Sequence, residues 1–406
     1  NMTSLFLTAV MCAGMLGGAV NAQEPALLSA SNLNNPVIVE EPDMIADQKV
    51  TWDCVWFGSY PQAEVVPSAE DYIGVAESMM KDGDIIVDSS LYDELQKTNG
   101  WGENNDIEIN GNKYRRMRHS DATFATTPVT ETTGKSAAHY FWSDNTSYHY
   151  FKYEPIKWQV LSVNENQAFL LSEVALDCQK YNNDLTVSNS PIEWKISTIR
   201  SWLNGYMASE NLLKEDFSSK NFINSAFTMD ERMAITDTIM TSNDSDNIET
   251  KESDTTDKVF LLSEAETNGT DAKIHGFALS EDVRDEARRS RTSTYAKAMG
   301  VSSLQEGPYI GNCFWWLRSG GTKSDKKVMW VRFDGFVSLE GGWPNCWYGV
   351  RPALNLDLSS AIYSYAGTVC SDGTEDEVSP DGGQMEPGEE NIPVTDISLS
   401  ENKLQL

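Results

Sequence analysis

Between residues 330 and 348 the chain concentrates side chains suited to recognition: Trp330, Arg332, Phe336, Ser338, Glu340, Trp343, Asn345, Trp347 and Tyr348. Indole and phenol rings offer broad apolar area with one polar handle, and a guanidinium offers a planar fork of donors. Trp, Tyr and Arg are the types that dominate binding hot spots, while Ser, Asn and Glu supply orienting hydrogen bonds. No nucleophile with an adjacent base is identifiable beside them. His119, His139, His149 and His275 are scattered, and Cys54, Cys178, Cys313, Cys346 and Cys370 show no metal-ligand spacing.

The elements that must position these residues are read as a β-meander over Cys313–Ala353. Val328–Phe333 and Phe336–Glu340 are two strands meeting at Asp334-Gly335, and loop length decides which residues share a face. A three-residue loop, Phe333-Asp334-Gly335 with Gly335 left-handed, pairs Arg332 with Phe336. Met329, Val331, Val337 and Leu339 then share one face, and Trp330, Arg332, Phe336 and Ser338 the other. Leaving Trp330 and Phe336 in water forgoes roughly 1.5–3 kcal/mol or more each, so something covers them. Either a ligand does so or the long upstream insertion packs over them. Trp315, Trp316, Leu317, Val350 and Leu354 read as core, and Arg318 and Arg351 as ties to carbonyls or carboxylates at the meander's ends. Cys313 and Cys346 bracket the meander, as a disulfide or as reduced buried thiols.

Upstream, Trp52, Val55, Phe57 and Tyr60 mark a short strand ended by Pro61. Ile107–Met117 is a hairpin about Asn110-Gly111. Pro155–Leu161 and Ala168–Ser172 are central strands joined through Asn164-Glu165-Asn166. Ser190-Pro191-Ile192-Glu193 predicts a capped helix start, with Ile199, Trp202 and Leu203 on its apolar face and Gly205 as its stop. A second helix is predicted over about Asp282–Gly300, where Arg284, Arg288, Arg289 and Arg291 form a solvated charged face or, alternatively, a local anion site. Phe169-Leu170-Leu171-Ser172-Glu173 and Phe260-Leu261-Leu262-Ser263-Glu264 each read as a buried strand delivering a helix-capping serine. Thr241–Lys258 is a polar surface loop; Asp244, Asp246 and Glu249 carry oxygen ligands for calcium without the glycine and terminal glutamate of an EF-hand loop. No other cofactor is expected.

A chain of 406 residues with 40% hydrophobic content supports a sizeable core, and a net charge of −30 argues against nucleic-acid or anionic-lipid partners. Leu5–Val20, followed by Val20-Asn21-Ala22, reads as the apolar region and cleavage site of a signal peptide, residues 1–22. No later segment is long and apolar enough to span a bilayer, so the expected location is secreted or at the cell surface, with no membrane insertion after signal removal. Residues 23–49 read as an extended leader, 50–360 as the main domain and 361–391 as an acidic, Gly/Pro-bearing linker unable to fold. Ile392–Leu406 alternates like the first strands of a β-sandwich, a module begun but not completed.

The motifs Val55-Trp56-Phe57-Gly58-Ser59-Tyr60-Pro61-Gln62, Glu154-Pro155-Ile156-Lys157-Trp158, Ile199-Arg200-Ser201-Trp202-Leu203-Asn204, Trp315-Trp316-Leu317-Arg318-Ser319 and Gly349-Val350-Arg351-Pro352-Ala353-Leu354 resemble a family of secreted domains of unknown function from Gram-positive gut bacteria. The resemblance runs from about Thr51 to Leu358. The last two motifs, with the glycine-turned hairpin between them, are also similar to the C-type-lectin-like fold of formylglycine-generating enzymes and of receptors diversified by retroelements. This implies an α+β fold with a mixed, largely antiparallel sheet and flanking helices. Likeness to the diversified receptors implies a ligand surface on the last hairpin, for an extracellular protein or glycan. Likeness to formylglycine-generating enzymes would imply oxidation by two cysteines a few residues apart, which Cys313 and Cys346 are not. Ile392–Leu406 resembles the start of a bacterial immunoglobulin-like group 2 domain. The reading is an adhesin-like binding protein, with an extracellular oxidase or a structural stalk as alternatives.

Overall fold

The computed structural model describes residues 33–70, 72–125, 139–184, 192–240, 254–279, 284–305, 307–322, 324 and 326–380. Its strands in chain order are β1 (Val37–Glu40), β2 (Gln48–Val66), β3 (Ile85–Val87), β4 (Asp106–Ile109), β5 (Asn112–Met117), β6 (His149–Asn164), β7 (Gln167–Ser172), β8 (Asp177–Lys180), β9 (Thr238–Met240) and β10 (Thr255–Asp257). They continue as β11 (Val259–Phe260), β12 (Trp315–Gly320), β13 (Val328–Val331), β14 (Val337–Gly342), β15 (Trp347–Val350), β16 (Ala353–Asp357), β17 (Ser364–Cys370) and β18 (Glu375–Glu377). The helices are short: α1 (Ser89–Lys97), α2 (Thr198–Asn204), α3 (Phe222–Ala226), α4 (Met229–Ala234), α5 (Glu264–Thr267) and α6 (Thr294–Met299).

The protein is mixed α+β with mostly antiparallel sheets and few helices. The large sheet runs β11-β16-β7-β6-β2-β17-β18, with β1 and β3 on β2 and the β4–β5 hairpin on β6. A second sheet runs β14-β13-β12-β15-β8, and β9 pairs with β10. Val55, Phe57, Phe151, Trp158, Leu170, Leu354, Trp315 and Trp316 belong to one buried apolar cluster, so the two sheets share a core.

The central pair β6–β7 turns at Glu165-Asn166, and Asn110-Gly111 makes the hairpin bend with both residues at positive φ, as their types allow. Pro61 does not end its strand. β2 continues to Val66 because a register shift between Pro61 and Ala63 accommodates a residue that cannot donate to the ladder.

Several expectations at the edges of the domain are revised. The sheet already includes β1, within the stretch read as leader, and it includes β17 and β18, within the stretch read as linker. The acidic strand β18 is accommodated because Glu375 and Glu377 converge on Lys157 Nζ at 3.1 and 2.9 Å. Burial disfavours that ammonium, yet Glu173, Glu377 and Glu375 together hold its pKa above the ordinary value. Residues 381–406, with the immunoglobulin-like start, lie outside the described residues, as do the signal segment and Asp244, Asp246 and Glu249.

The first predicted helix is α2, capped by Ser197 rather than Ser190; Ser190 and Pro191 lie outside the described residues, and Glu193 precedes a separate single turn at Trp194–Ile196. Its apolar face and its stop at Gly205, φ +71°, are as predicted. Asp282–Gly300 is not one helix: a short turn at Glu286–Arg288 precedes an extended stretch and then α6. Nor does it show a uniformly solvated basic face, since Arg288 is fully buried and donates to the carbonyls of Gly335, Thr267 and Ala278 at 2.8–3.0 Å. Ser263 caps α5 in a capping box with Glu266, while its counterpart Ser172 donates to the Val174 carbonyl and caps nothing. Among the described residues no helix is long and apolar enough to cross a membrane.

Candidate functional site: the aromatic face of the last hairpin

The register at Asp334-Gly335 is the three-residue, glycine-bulged one. Arg332 N donates to Phe336 O at 2.9 Å, Val331 faces Val337, Trp330 faces Ser338, and Gly335 has φ +82°. Met329, Val331 and Val337 are buried, whereas Trp330, Arg332, Phe336 and Ser338 are all half-buried. Strand alternation alone produces this division.

The bend is held from behind. A Cβ at Gly335 would sit 1.9 Å from the Asp285 carbonyl oxygen, and Arg288 Nε donates to the Gly335 carbonyl at 2.8 Å. Asp334 is buried and accepts from Arg284 and Arg332, each at 3.0 Å. The Arg332 guanidinium lies 5.4 Å from the Phe336 ring centre and 5.5 Å from that of Phe333. Arg332 and Phe336 are therefore displayed on a rigid tip.

Trp330 sits within ring contact of Phe314 (5.1 Å, edge-on) and Tyr348 (5.2 Å), and Tyr348 is 4.6 Å from the fully buried Trp316. Burial, followed by the neighbouring Cys346, raises the pKa of the Tyr348 hydroxyl. The face thus grades from sealed at Trp316 to half-buried at Trp330 and Tyr348; Trp343, just past β14, is 50% exposed with the Lys327 ammonium 5.8 Å from its ring centre. Glu340 is exposed and Asn345 half-buried near the same loop.

Trp347 does not join this face. Neighbouring residues on a strand point to opposite sides, and Trp347 stacks on Phe124 of the insertion at 4.0 Å and 8°. Covering by the insertion therefore happens, but at Trp347. The closing strand also departs from a meander: β15 lies parallel to β12, Trp315 beside Gly349, instead of continuing outside β14.

Arg318 and Arg351 are the ties their positions suggested. Arg318 Nη1 donates to Leu261 O at 2.7 Å and to Glu266 Oε2 at 2.6 Å, and Arg351 Nε donates to Ser172 O at 2.7 Å. The Cys313–Cys346 bridge is not formed, and the five cysteines among the described residues are free. Cys313 packs with Ala175, Cys178, Ala296 and Val301, while Cys346 sits in the turn closed by its N–H to the Trp343 carbonyl. Burial pushes the Cys313 thiol up to about 12. Among the described residues no group of three or more His, Cys, Asp or Glu is placed to hold a metal ion.

Among the buried polar positions that sequence reasoning missed are Arg288 behind the hairpin, Asp257 at the end of the predicted surface loop, and Asp177 on β8, which with Arg115 lines a separate cleft. An aspartate inside the apolar run Val174-Ala175-Leu176-Asp177-Cys178 was the available signal for the last of these. No curated protein and no solved structure matches this chain. Residues 165–358, which carry β7 through β16 and with them the whole aromatic face, match a family described as a Domain of unknown function (DUF6273).

Proposed function

We propose that the protein is an extracellular recognition protein, secreted or held at the cell surface, that binds a protein or glycan through Trp330, Arg332, Phe336, Ser338 and the adjoining Trp343 and Tyr348. On this reading the two-sheet domain is C-type-lectin-like, and its last hairpin serves as the ligand surface, as in receptors whose binding positions are diversified. The observation that carries the reading is the bulged register, which puts Trp330 and Phe336 on one side, both half-buried, over a sealed Met329, Val331 and Val337 layer. A half-buried aromatic set with an arginine on a braced turn has the composition and rigidity of a hot spot, where preorganisation limits the entropy lost on binding.

The test is to screen the purified protein on a glycan array and against a panel of extracellular proteins, beside a Phe336→Ala/Trp343→Ala double variant. Retention of a ligand by the wild type and its loss by the variant is the expected result. Ligand retained equally by both would remove the hairpin from the function.

A further inference from the structure

Between the β4–β5 hairpin, α2, α3 and α6 lies a cleft of ≈ 320 Å³ that the aromatic face does not use. Asp177, 2% exposed, is set into its wall by β8. Its Oδ2 accepts from the Tyr60 hydroxyl at 2.5 Å, and its Oδ1 accepts from Cys178 N at 2.6 Å and Gln179 Nε2 at 3.2 Å. Arg115, on β5, reaches the cleft with its charge already matched: Nε and Nη2 donate to the two Asp106 oxygens at 2.7 and 2.9 Å, and Tyr153 also donates to Asp106 at 2.8 Å. Arg115 further donates to the Tyr295 hydroxyl at 3.3 Å and Ser225 Oγ at 3.4 Å.

A buried ion pair and a buried carboxylate contribute little net stability, because desolvation offsets their attraction. A polar network serving only the fold would be closed over by packing, yet this one borders an open space. The chemistry of the lining selects among ligands. Within the cleft Arg115 is matched by Asp106 and Asp177 by its hydrogen bonds, while Arg116, Lys220 and Asp121 at the lining carry both signs of charge, so no single ionic class is favoured over a neutral guest. Amides at Asn104 and Gln179, the Ser225 hydroxyl and the Asp177 carboxylate offer donors and acceptors together, and Trp202 and Tyr295 supply ring surface. Hydroxyl groups, each a donor and an acceptor, match such a wall, and the volume is at the small end of ligand sites.

We propose that this cleft is a second ligand site that takes one neutral sugar residue, held between Asp177, Gln179, Asn104 and Ser225 against the Trp202 ring. The site is independent of the hairpin face and stands whether or not that face binds anything.

Saturation-transfer NMR and calorimetry of the full chain with the methyl glycosides of glucose, galactose, mannose and N-acetylglucosamine test it, at concentrations up to about 10 mM. At least one glycoside is expected to bind. Ser225→Ala and Asn104→Ala, at partly exposed positions, should each weaken that binding about fivefold, as loss of one neutral hydrogen bond implies. Phe336→Ala/Trp343→Ala should leave it unchanged. The proposal is overturned if no glycoside binds, if binding is indifferent to both cleft variants, or if it is lost in the hairpin variant.

Discussion

The rings of Trp330 and Tyr348 lie 5.2 Å apart on strands that flank the one carrying Trp316, so display and core are separated by a single residue's depth. Trp316 and Trp343 should therefore respond in opposite ways to truncation. Trp316→Ala is expected to cost ~3–5 kcal/mol of unfolding free energy, the range for a large buried aromatic. Trp343→Ala should stay within ~0.5 kcal/mol. Urea unfolding of the two variants measures both, and comparable losses would show that Trp343 is packed as core.

Gly335 is required both by its φ of +82° and by the Asp285 carbonyl oxygen 1.9 Å from where a Cβ would stand. Gly335→Ala should destabilise by more than the ~1 kcal/mol of a simple left-handed penalty, on the order of 2–4 kcal/mol, because backbone must shift. Near-native stability in denaturant would mean that the 285 loop is not braced against the turn.

Lys297 is buried on α6 and donates to Ser303 Oγ, and burial lowers its pKa from 10.5 to about 8. Between about 8 and 10.5 the unfolded chain binds more protons than the folded one, so this group makes stability rise with pH. Below about 8 its full cost is present, on the order of 3 kcal/mol. Lys297→Met should accordingly be more stable than wild type at pH 7, by ~1–3 kcal/mol, with the advantage shrinking toward pH 10. Thermal melts across that window give the answer; an advantage that does not change with pH would contradict it.

Asp177 behaves with the opposite slope. Burial raises its pKa from 3.8 to about 6 against the hydrogen bonds from Tyr60, Cys178 and Gln179. The folded state then binds more protons between those values, and stability from this group falls as pH climbs from about 4 to 6. Asp177→Asn should lack that fall, so the difference between variant and wild type should move by about 2 kcal/mol in the variant's favour over the window. Parallel unfolding curves at pH 4 and 6.5 would exclude the raised value.

What the sequence revealed followed from local rules. Gly335 after Asp334 announced its bulge, Asn110-Gly111 its hairpin, and Ile199, Trp202 and Leu203 their helix, because turn chemistry and side-chain period are carried by adjacent residues. What stayed hidden depends on partners distant in the chain. Glu375 and Glu377 look like linker until Lys157 meets them, and the arginines of 284–291 look like a solvated helix until Gly335 and Asp334 take up their hydrogen bonds. The cleft was invisible for the same reason, since Asp177, Arg115, Tyr60 and Tyr295 are drawn from four separate elements. Trp347 was misplaced by counting ring types without the alternation that turns it away from Tyr348.

The 19-residue strand β2 pairs with β6 roughly a hundred residues later and with β17 roughly three hundred residues later. Closure of loops that long precedes any reward from the contacts they permit, which is the topology of slow folding. During synthesis the apolar side of β2 must wait for its partners, through a long interval in which an unpaired sheet edge is open to other chains. Assembly should thus be limited by when the strand at Ser364–Cys370 arrives, and a helper that shields that edge would raise yield without touching the finished molecule.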